Sequence, residues 1–428
     1  MDFTLNEAQR ELAALCRHIV ADKATPQRQA EVEAAGDRFD PGLWADLAGA
    51  GILAAALPES LDGAGLGLLE QCSVAEELGR AVAPVPYLGA IVLGAGAVGA
   101  FGTPDQQQRW AAPAGRGELI VTAALAEEDS DDPRSPSASA EWVAGAAPER
   151  AAGASPAAVA GTSPTPAAGT SPTPAAGTSP AAVAGTSPTA AAGTSPSPAG
   201  GHWLLSGTKA AVPAATRADV FLVPAGTASG PAVFVVAPDD PGVRVQPQRL
   251  VDGDVAGRLE LTRAEIPGDR VLGGTRAGAE IIDWLAARGT VGQCALQYGV
   301  LARALELTSE HAKSRVQFGR PVGAFQAVAQ RLADAYIDVE GVRLTMWQAA
   351  WRLAAGLPCE TEIATAKFWA ADAGHRVAHT AVHIHGGMGI DTDHPTHRYF
   401  VAAKRTEFEL GGATTQLRRI GAALARAH

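Results

Sequence analysis

The spacing of hydrophobic positions changes twice along the chain. Leu5, Leu12, Leu15 and Ile19 recur at helical intervals among Asn6, Glu7, Gln9 and Arg10, which predicts an amphipathic helix at the start. Trp44, Leu47 and Ile52 predict a second helix that stops near Gly49 and Gly51, and the run from Cys72 to Leu78 predicts a third. Phe101-Gly102-Thr103-Pro104-Asp105 has the form of a turn that opens another helix, with Asp105 in the first turn, where the helix dipole favours a carboxylate. From about residue 118 the period shortens. Apolar runs at 119–122, 203–205, 219–223 and 233–236, separated by Gly and Pro, predict strands. After Gly278 the long helical period returns over 279–315, 324–355 and 359–384, with a last helix from about Thr415. Four long helices with short connections predict a bundle. The chain is therefore expected to be an α+β multidomain protein: an N-terminal helical domain (1–117), a middle β-barrel-like domain (118–272) and a C-terminal four-helix bundle (273–428).

One segment breaks the pattern. Gly-Thr-Ser-Pro begins at Gly161, Gly169, Gly177, Gly185 and Gly193, a period of eight. Residues 143–201 consist almost wholly of Ala, Gly, Pro, Ser and Thr, with little to bury against the entropy of ordering, so a disordered surface loop between two strands is expected.

Composition narrows the function classes. The 428 residues suffice for two or three domains, and 47% hydrophobic residues fit a globular protein. A net charge of −11 argues against a broad nucleic-acid surface. Cysteines 16, 72, 294 and 359 form no CxxC pair, so reduced thiols in a cytoplasmic protein are expected instead of a disulfide framework or zinc site. The first residues lack the basic and apolar regions of a signal peptide, and no apolar run reaches the roughly 18 residues of a membrane span.

Two motifs have duller explanations than their outlines suggest. Gly94-Ala95-Gly96-Ala97-Val98-Gly99 matches a dinucleotide fingerprint but lacks the strand–turn–helix context, so small residues for close helix packing explain it better. His375, His379 and His383 share one helix face, but no cysteine or acid at ligand spacing completes a metal site. The C-terminal third carries the more telling constellation. Arg315 is a planar cation suited to phosphate oxygens, Phe318 a flat ring, and Gln326 an amide that donates and accepts. Gly319 is expected to end the helix that carries Arg315. His383 leads into Gly386, Gly387 and Gly389, whose backbone can approach an anion closely. Together these suit the diphosphate and adenine of a dinucleotide.

Arg315-x-x-Phe318-Gly319, Gln326 and Gly386-Gly387-x-Gly389 resemble the FAD-clamping signatures of the acyl-CoA dehydrogenase family. So do Phe3-Thr4-Leu5-Asn6-Glu7-Ala8-Gln9, and Gly102-Thr103-Pro104-Asp105-Gln106 followed by Trp110 and Gly117-Glu118-Leu119. The likeness spans nearly the whole chain outside the insert. It implies FAD as cofactor, held between subunits of a dimer or dimer of dimers, an acyl-CoA thioester as substrate, and an electron-transfer flavoprotein as acceptor. In that family a glutamate removes the α-proton while the β-hydride passes to the flavin.

Here the chain departs from its resemblance. Thr414-Thr415-Gln416 fits the segment that follows the family's base, adding Thr414 and Gln416 to the cofactor-binding candidates, but the base position is Gly412 or Leu410, depending on the direction of counting. The alternative position on an earlier bundle helix falls in Ala286-Ala287-Arg288-Gly289-Thr290, again without a carboxylate. Glu407 and Glu409 are the nearby acids. The loop that touches the flavin in the family corresponds to 126–132, whose crowded acids (Glu127, Glu128, Asp129, Asp131 and Asp132) would repel a diphosphate. Ala211 and Pro213 stand where the family packs Trp and Thr near the flavin ring. The pattern predicts a non-catalytic subunit completing the FAD site of a homologous, glutamate-bearing partner. The alternatives are a self-sufficient dehydrogenase with Glu407 or Glu409 as a displaced base, and a flavin-free CoA-ester binding scaffold. Small residues in the site also suggest room for bulky acyl groups such as steroid side chains.

Overall fold

The structure, a computed structural model, describes residues 6–36, 38–130, 132–144 and 201–426. The repeat insert expected over 143–201 lies almost entirely outside the described residues.

The first part of the chain is helical. It comprises α1 (Glu7–Lys23), α2 (Pro26–Ala34), α3 (Pro41–Gly49), α4 (Leu68–Ala81), a π-helical run Leu88–Ala95 continuing into α5 (Gly96–Phe101), and the short α6 (Pro104–Gln106) and α7 (Ala112–Gly115). Asn6 and Gln9 close a reciprocal capping box at the start of α1. The buried face of α1 is shifted from the one the leucine spacing predicts, with Leu12 and Ile19 half-buried at its edge. Gln9, Ala13, Cys16 and Val20 face inward, while Leu15 is 41% exposed. Small and polar groups win that face because α1 lies against α4, where Gln9 donates to Glu70 and Arg17 forks onto Glu77. α2 carries no periodic signal because it buries only Gln29 and Val32. The Gly94–Gly99 stretch is helical and packs on the sheet, as expected of small residues. A Cβ on Gly94 would stand 1.8 Å from the carbonyl oxygen of Val121.

The middle of the chain forms one mixed sheet of β1 (Val121–Ala123), β2 (Ser139–Val143), β3 (His202–Val212), β4 (Val220–Thr227), β5 (Gly230–Val236), β6 (Val243–Arg249) and β7 (Val255–Pro267). The order is β1-β4-β2-β3-β7-β6, with β5 on β4. Bulges in β3 bend the sheet, and it curls enough for Trp142, Trp203 and Phe234 to meet edge on at 5.1 and 5.3 Å. Val143 pairs with His202, so the insert joins adjacent antiparallel strands.

The last part holds α8 (Gly278–Ser314), a small hairpin of β8 (Val316–Gln317) and β9 (Arg320–Pro321), α9 (Gln326–Ala354), α10 (Glu360–His385), α11 (Pro395–Phe408) and α12 (Ala413–Arg426). Four of these five helices match the predicted ones. α11 is invisible to hydrophobic periodicity because its buried residues are Thr396, Arg398, Ala402, Ala403 and Thr406. All four cysteines are free. Among the described residues no helix is long and apolar enough to cross a membrane.

Candidate functional site

The dinucleotide-tail candidates gather at one end of the bundle. α8 stops at Ser314 and Arg315 turns into extended backbone as its C-cap. Gly319 does not cap this helix as expected. Phe318 (φ 53°) and Gly319 (φ 78°) form instead the two-residue turn of the β8–β9 hairpin. A phenylalanine in left-handed backbone that is 92% exposed is costly in isolation. Gln326 opens α9 and is exposed.

Nothing in the local sequence announces what ties this end together. His311 of α8 stacks on His385 of α10 with ring centroids 4.4 Å apart, and His394 lies 5.2 Å from His385. This brings Arg315 and the glycine turn Gly386–Ile390 to the same end of the bundle. His385 Nδ1 donates to the Ala381 carbonyl at 2.9 Å, leaving Nε2 to accept from Thr396 Oγ1 at 3.3 Å. Burial, reinforced by neighbouring positive groups, lowers the pKa of both His311 and His385, which suits a neutral stack. His383 is exposed on the same helix, and His375 and His379 pair by themselves at 4.4 Å. Among the described residues no cluster of three metal-ligating groups exists. Gly386 (φ 63°) and Gly387 face open space, whereas a Cβ on Gly389 would meet Val382 Cα at 2.9 Å. A forked cation, an exposed ring, an amide and an open glycine turn fit the diphosphate and base of a dinucleotide.

A different place holds the cavity that could take a reacting group. About 750 Å³ opens where the three parts of the chain meet, lined among others by Leu88 and Leu93, by Leu125 and Pro213, and by Gln293, Leu296, Glu409 and Leu410. Val300 of α8 also lines it, so Arg315 lies roughly 20 Å farther along the same helix. The tail candidates and this cavity are not one pocket.

Leu410 stands in the cavity wall and Gly412 does not, so of the two base positions counted from sequence Leu410 is the one at the cavity. Leu410 takes left-handed backbone (φ 59°), followed by Gly411 (φ 94°). Three groups hold this strained bend. Gln416, buried, donates its amide to the Leu410 and Gly411 carbonyls at 3.2 and 3.0 Å. The fully buried Lys367 donates to the carbonyls of Thr406 and Glu407. Glu409 Oε2 accepts from Gln293 at 2.8 Å. Gln416 thus braces its own chain, while Thr414 is exposed at the start of α12. The alternative base region, 286–290, is equally without a carboxylate, and it lies beside the same wall, where a Cβ on Gly289 would meet the Leu410 side chain at 3.1 Å. Of the two displaced acids, Glu409 lines the cavity; Glu407 does not and is bound to Lys404 and His375.

The acidic stretch is less repulsive than its sequence suggests. Glu127 accepts from Lys209 Nζ at 2.6 Å and from the backbone of Ser137 and Ala138, and Glu128 pairs with Arg258. Burial alone would raise the Glu127 carboxyl, but Lys209 and Ser137 outweigh it and bring it down to about 2. The stability it supplies is full above the ordinary carboxylate range and is lost as pH falls toward 2. Lys209→Met, which strands this buried carboxylate, is expected to cost about 3–5 kcal/mol at neutral pH. Urea titration should show that loss, and should show most of it recovered in Lys209→Met with Glu127→Leu. A second site couples all three parts of the chain. Arg405 of α11 reaches Asp252 at 3.1 Å and also Asp254, and Arg38 reaches Asp252 at 3.2 Å from before α3.

Comparison with known proteins places this geometry. Residues 6–118 match the acyl-CoA dehydrogenase N-terminal domain and residues 276–425 the acyl-CoA dehydrogenase C-terminal domain. The chain is 45% identical to acyl-CoA dehydrogenase FadE27 of Mycobacterium tuberculosis, over 99% of each chain. Among solved structures it is similar to a chain of the ChsE4-ChsE5 complex from Mycobacterium tuberculosis (TM-score 0.81, 44% identity, 99% of each chain). It is also similar to a chain of a variant of the Tcur3481-Tcur3483 steroid ACAD (TM-score 0.80, 35% identity, 99% of each chain).

Proposed function

The chain belongs to the acyl-CoA dehydrogenase family, and we propose that it is the non-catalytic, FAD-completing subunit of a hetero-oligomer that performs α,β-dehydrogenation of an acyl-CoA thioester. The observation that carries this reading is the pairing of an inert cavity wall with an exposed tail site. Leu410 stands at one place for a base and residues 286–290 at the other, and neither offers a carboxylate. Arg315, Phe318, Gln326, His383, Gly386, Gly387 and Gly389 meanwhile stand on or beside an open end of the bundle, roughly 20 Å from the chain's own cavity. Residues so placed serve a cofactor whose ring lies in a neighbouring subunit.

Bound FAD supplies the hydride acceptor. This chain's part is to hold the nucleotide end. Arg315 offers a fork to the diphosphate, the glycine turn lets backbone come close, and the Phe318 ring covers a flat group. A homologous partner supplies the glutamate and the acyl site, and an electron-transfer flavoprotein receives the electrons. Two of the similar structures carry paired names, ChsE4-ChsE5 and Tcur3481-Tcur3483, and the second is called a steroid enzyme, which supports an unlike pair acting on a bulky acyl group.

The test is purification alone and with homologous partners. The pair is expected to be yellow and active, and the single chain colourless and inactive. Glu409→Gln and Glu407→Gln should leave turnover of the pair within about threefold, whereas Gln at the partner's glutamate should remove it. An active, yellow preparation of this chain alone would overturn the reading, and loss of its turnover in Glu409→Gln would assign the base to Glu409.

A further inference from the structure

We propose that the cavity between the three parts of this chain is a second, non-redox site that takes an uncharged, mainly aliphatic molecule. The inference rests on the partner reading above, which leaves this cavity without a reaction to perform. Its volume of about 750 Å³ lies within the range of small-molecule sites. The wall that would carry a base has become a hydrocarbon surface. Leu410 fills that place beside Gly289, and Leu88, Leu93, Leu296 and Val300 extend the apolar lining. The bend at Leu410 keeps a left-handed leucine, an arrangement that costs free energy and persists only where its surroundings fix it. Gln416 and Lys367 do so through the backbone carbonyls of Leu410, Gly411, Thr406 and Glu407, so the bend that places Leu410 in the cavity wall is held.

The charges around the cavity select against ions. Its cations already have partners: Arg38 is on Asp252 and the Val82 carbonyl, Arg405 on Asp252 and Asp254, Lys404 on Glu407, and Arg217 lies over the Phe39 ring at 5.2 Å. Most of its carboxylates are matched in the same way, with Glu127 on Lys209, Glu128 on Arg258, and Glu409 on Gln293 and near Arg405, while Asp129 is exposed to solvent. A diphosphate or a free carboxylate entering here would have to break an existing pair to find a cation, and an ammonium would have to break one or leave the apolar wall for the solvent-exposed Asp129. An uncharged chain loses nothing of the kind and gains the burial of its hydrocarbon. The Gln293 amide, beside Leu410, is the polar group within reach of a hydroxyl or keto end.

Three ligands that differ only in head group test this on the full chain by calorimetric titration: decan-1-ol, decanoate and decylamine. Decan-1-ol is expected to bind once per chain, with decanoate and decylamine at least tenfold weaker. Val300→Trp, which fills the space, should weaken decan-1-ol at least tenfold. Ala402→Leu, a smaller intrusion from α11, should weaken it about threefold while keeping the wild-type melting curve, which guards against misfolding of the larger variant. Absence of saturable binding overturns the proposal, as does equal or tighter binding of either ion, or binding unchanged in both variants. The partner reading fails by a separate route, an active yellow chain purified alone, so the two failures are distinguishable.

Discussion

Arg405→Met is expected to lower the unfolding free energy by about 3 kcal/mol, the magnitude for removing one member of a buried ion cluster. Arg405 faces Asp252, Asp254 and Glu409 from α11, and the Asp252 side chain is only 3% exposed. Burial alone would depress the guanidinium, but Asp254, Glu409 and Asp252 more than reverse this and hold its pKa well above the ordinary arginine value. Without it, Asp252 keeps Arg38 alone, and Asp254 and Glu409 face the cavity with no guanidinium between them. The middle part then loses this ionic tie to the bundle and keeps that of Arg134 to Asp283 of α8. Chemical unfolding followed by tryptophan fluorescence should show the lost stability, together with a broader or split transition as the parts separate. Replacing Asp252 and Asp254 by Asn in the same variant should recover part of the loss. The difference from wild type should also shrink in acid. Burial would raise the Asp252 carboxyl, but Arg405 and Arg38 outweigh it and lower its pKa. Its contribution is therefore full above the ordinary carboxylate range and is lost as pH falls through the depressed value. A variant within about 0.5 kcal/mol of wild type would show that the cluster does not tie the domains.

The same cluster shows which parts of the molecule the sequence can reveal. The long helices and the apolar-run strands β1, β3, β4 and β5 are legible, whereas β2, β6 and β7 escape because polar and charged residues interrupt their apolar positions. The glycine and proline within 101–105 mark a turn locally. The tail motif is legible for the same reason, since Arg315, Phe318 and Gln326 lie within one hairpin and its flanks. Interactions across distant segments leave no local signal. Arg405 and Asp252 are 153 residues apart, and Lys209 and Glu127 are 82 apart. A row of acids at 126–132 therefore reads as uncompensated charge, although two of its members have cations on strands β3 and β7. The His311–His385 stack joins two helices whose sequences do not point to each other. Hydrophobic spacing misleads in part at α1, where Leu12 and Ile19 pack at the edge of the core but Leu15 turns outward and the close approach of α4 takes the small Ala13 and Cys16.

In the assembled hetero-oligomer, Arg315→Ala is expected to weaken FAD binding about 10- to 100-fold, the range for losing charge-assisted hydrogen bonds that a partner anion cannot replace with water. Arg315→Lys should recover only part of this, because an ammonium keeps the charge but not the planar fork. Phe318→Ser should cost less, since the ring contributes area and no charge. Lys313→Ala is the control: that side chain is also exposed, two residues away, and lies outside the motif. Flavin fluorescence titration of the reconstituted pair measures the affinity, and the flavin-to-protein ratio after gel filtration gives a readout independent of turnover. The loss in Arg315→Ala should narrow as salt rises, because an arginine–diphosphate contact is screened while stacking is not. The partner's glutamate is untouched in each variant, so turnover should return toward wild type when FAD is supplied in excess. A pair that holds FAD normally without Arg315 would place the nucleotide end elsewhere. A pair whose turnover stays low at saturating FAD would mean that Arg315 acts on the reacting ring as well as on the nucleotide end.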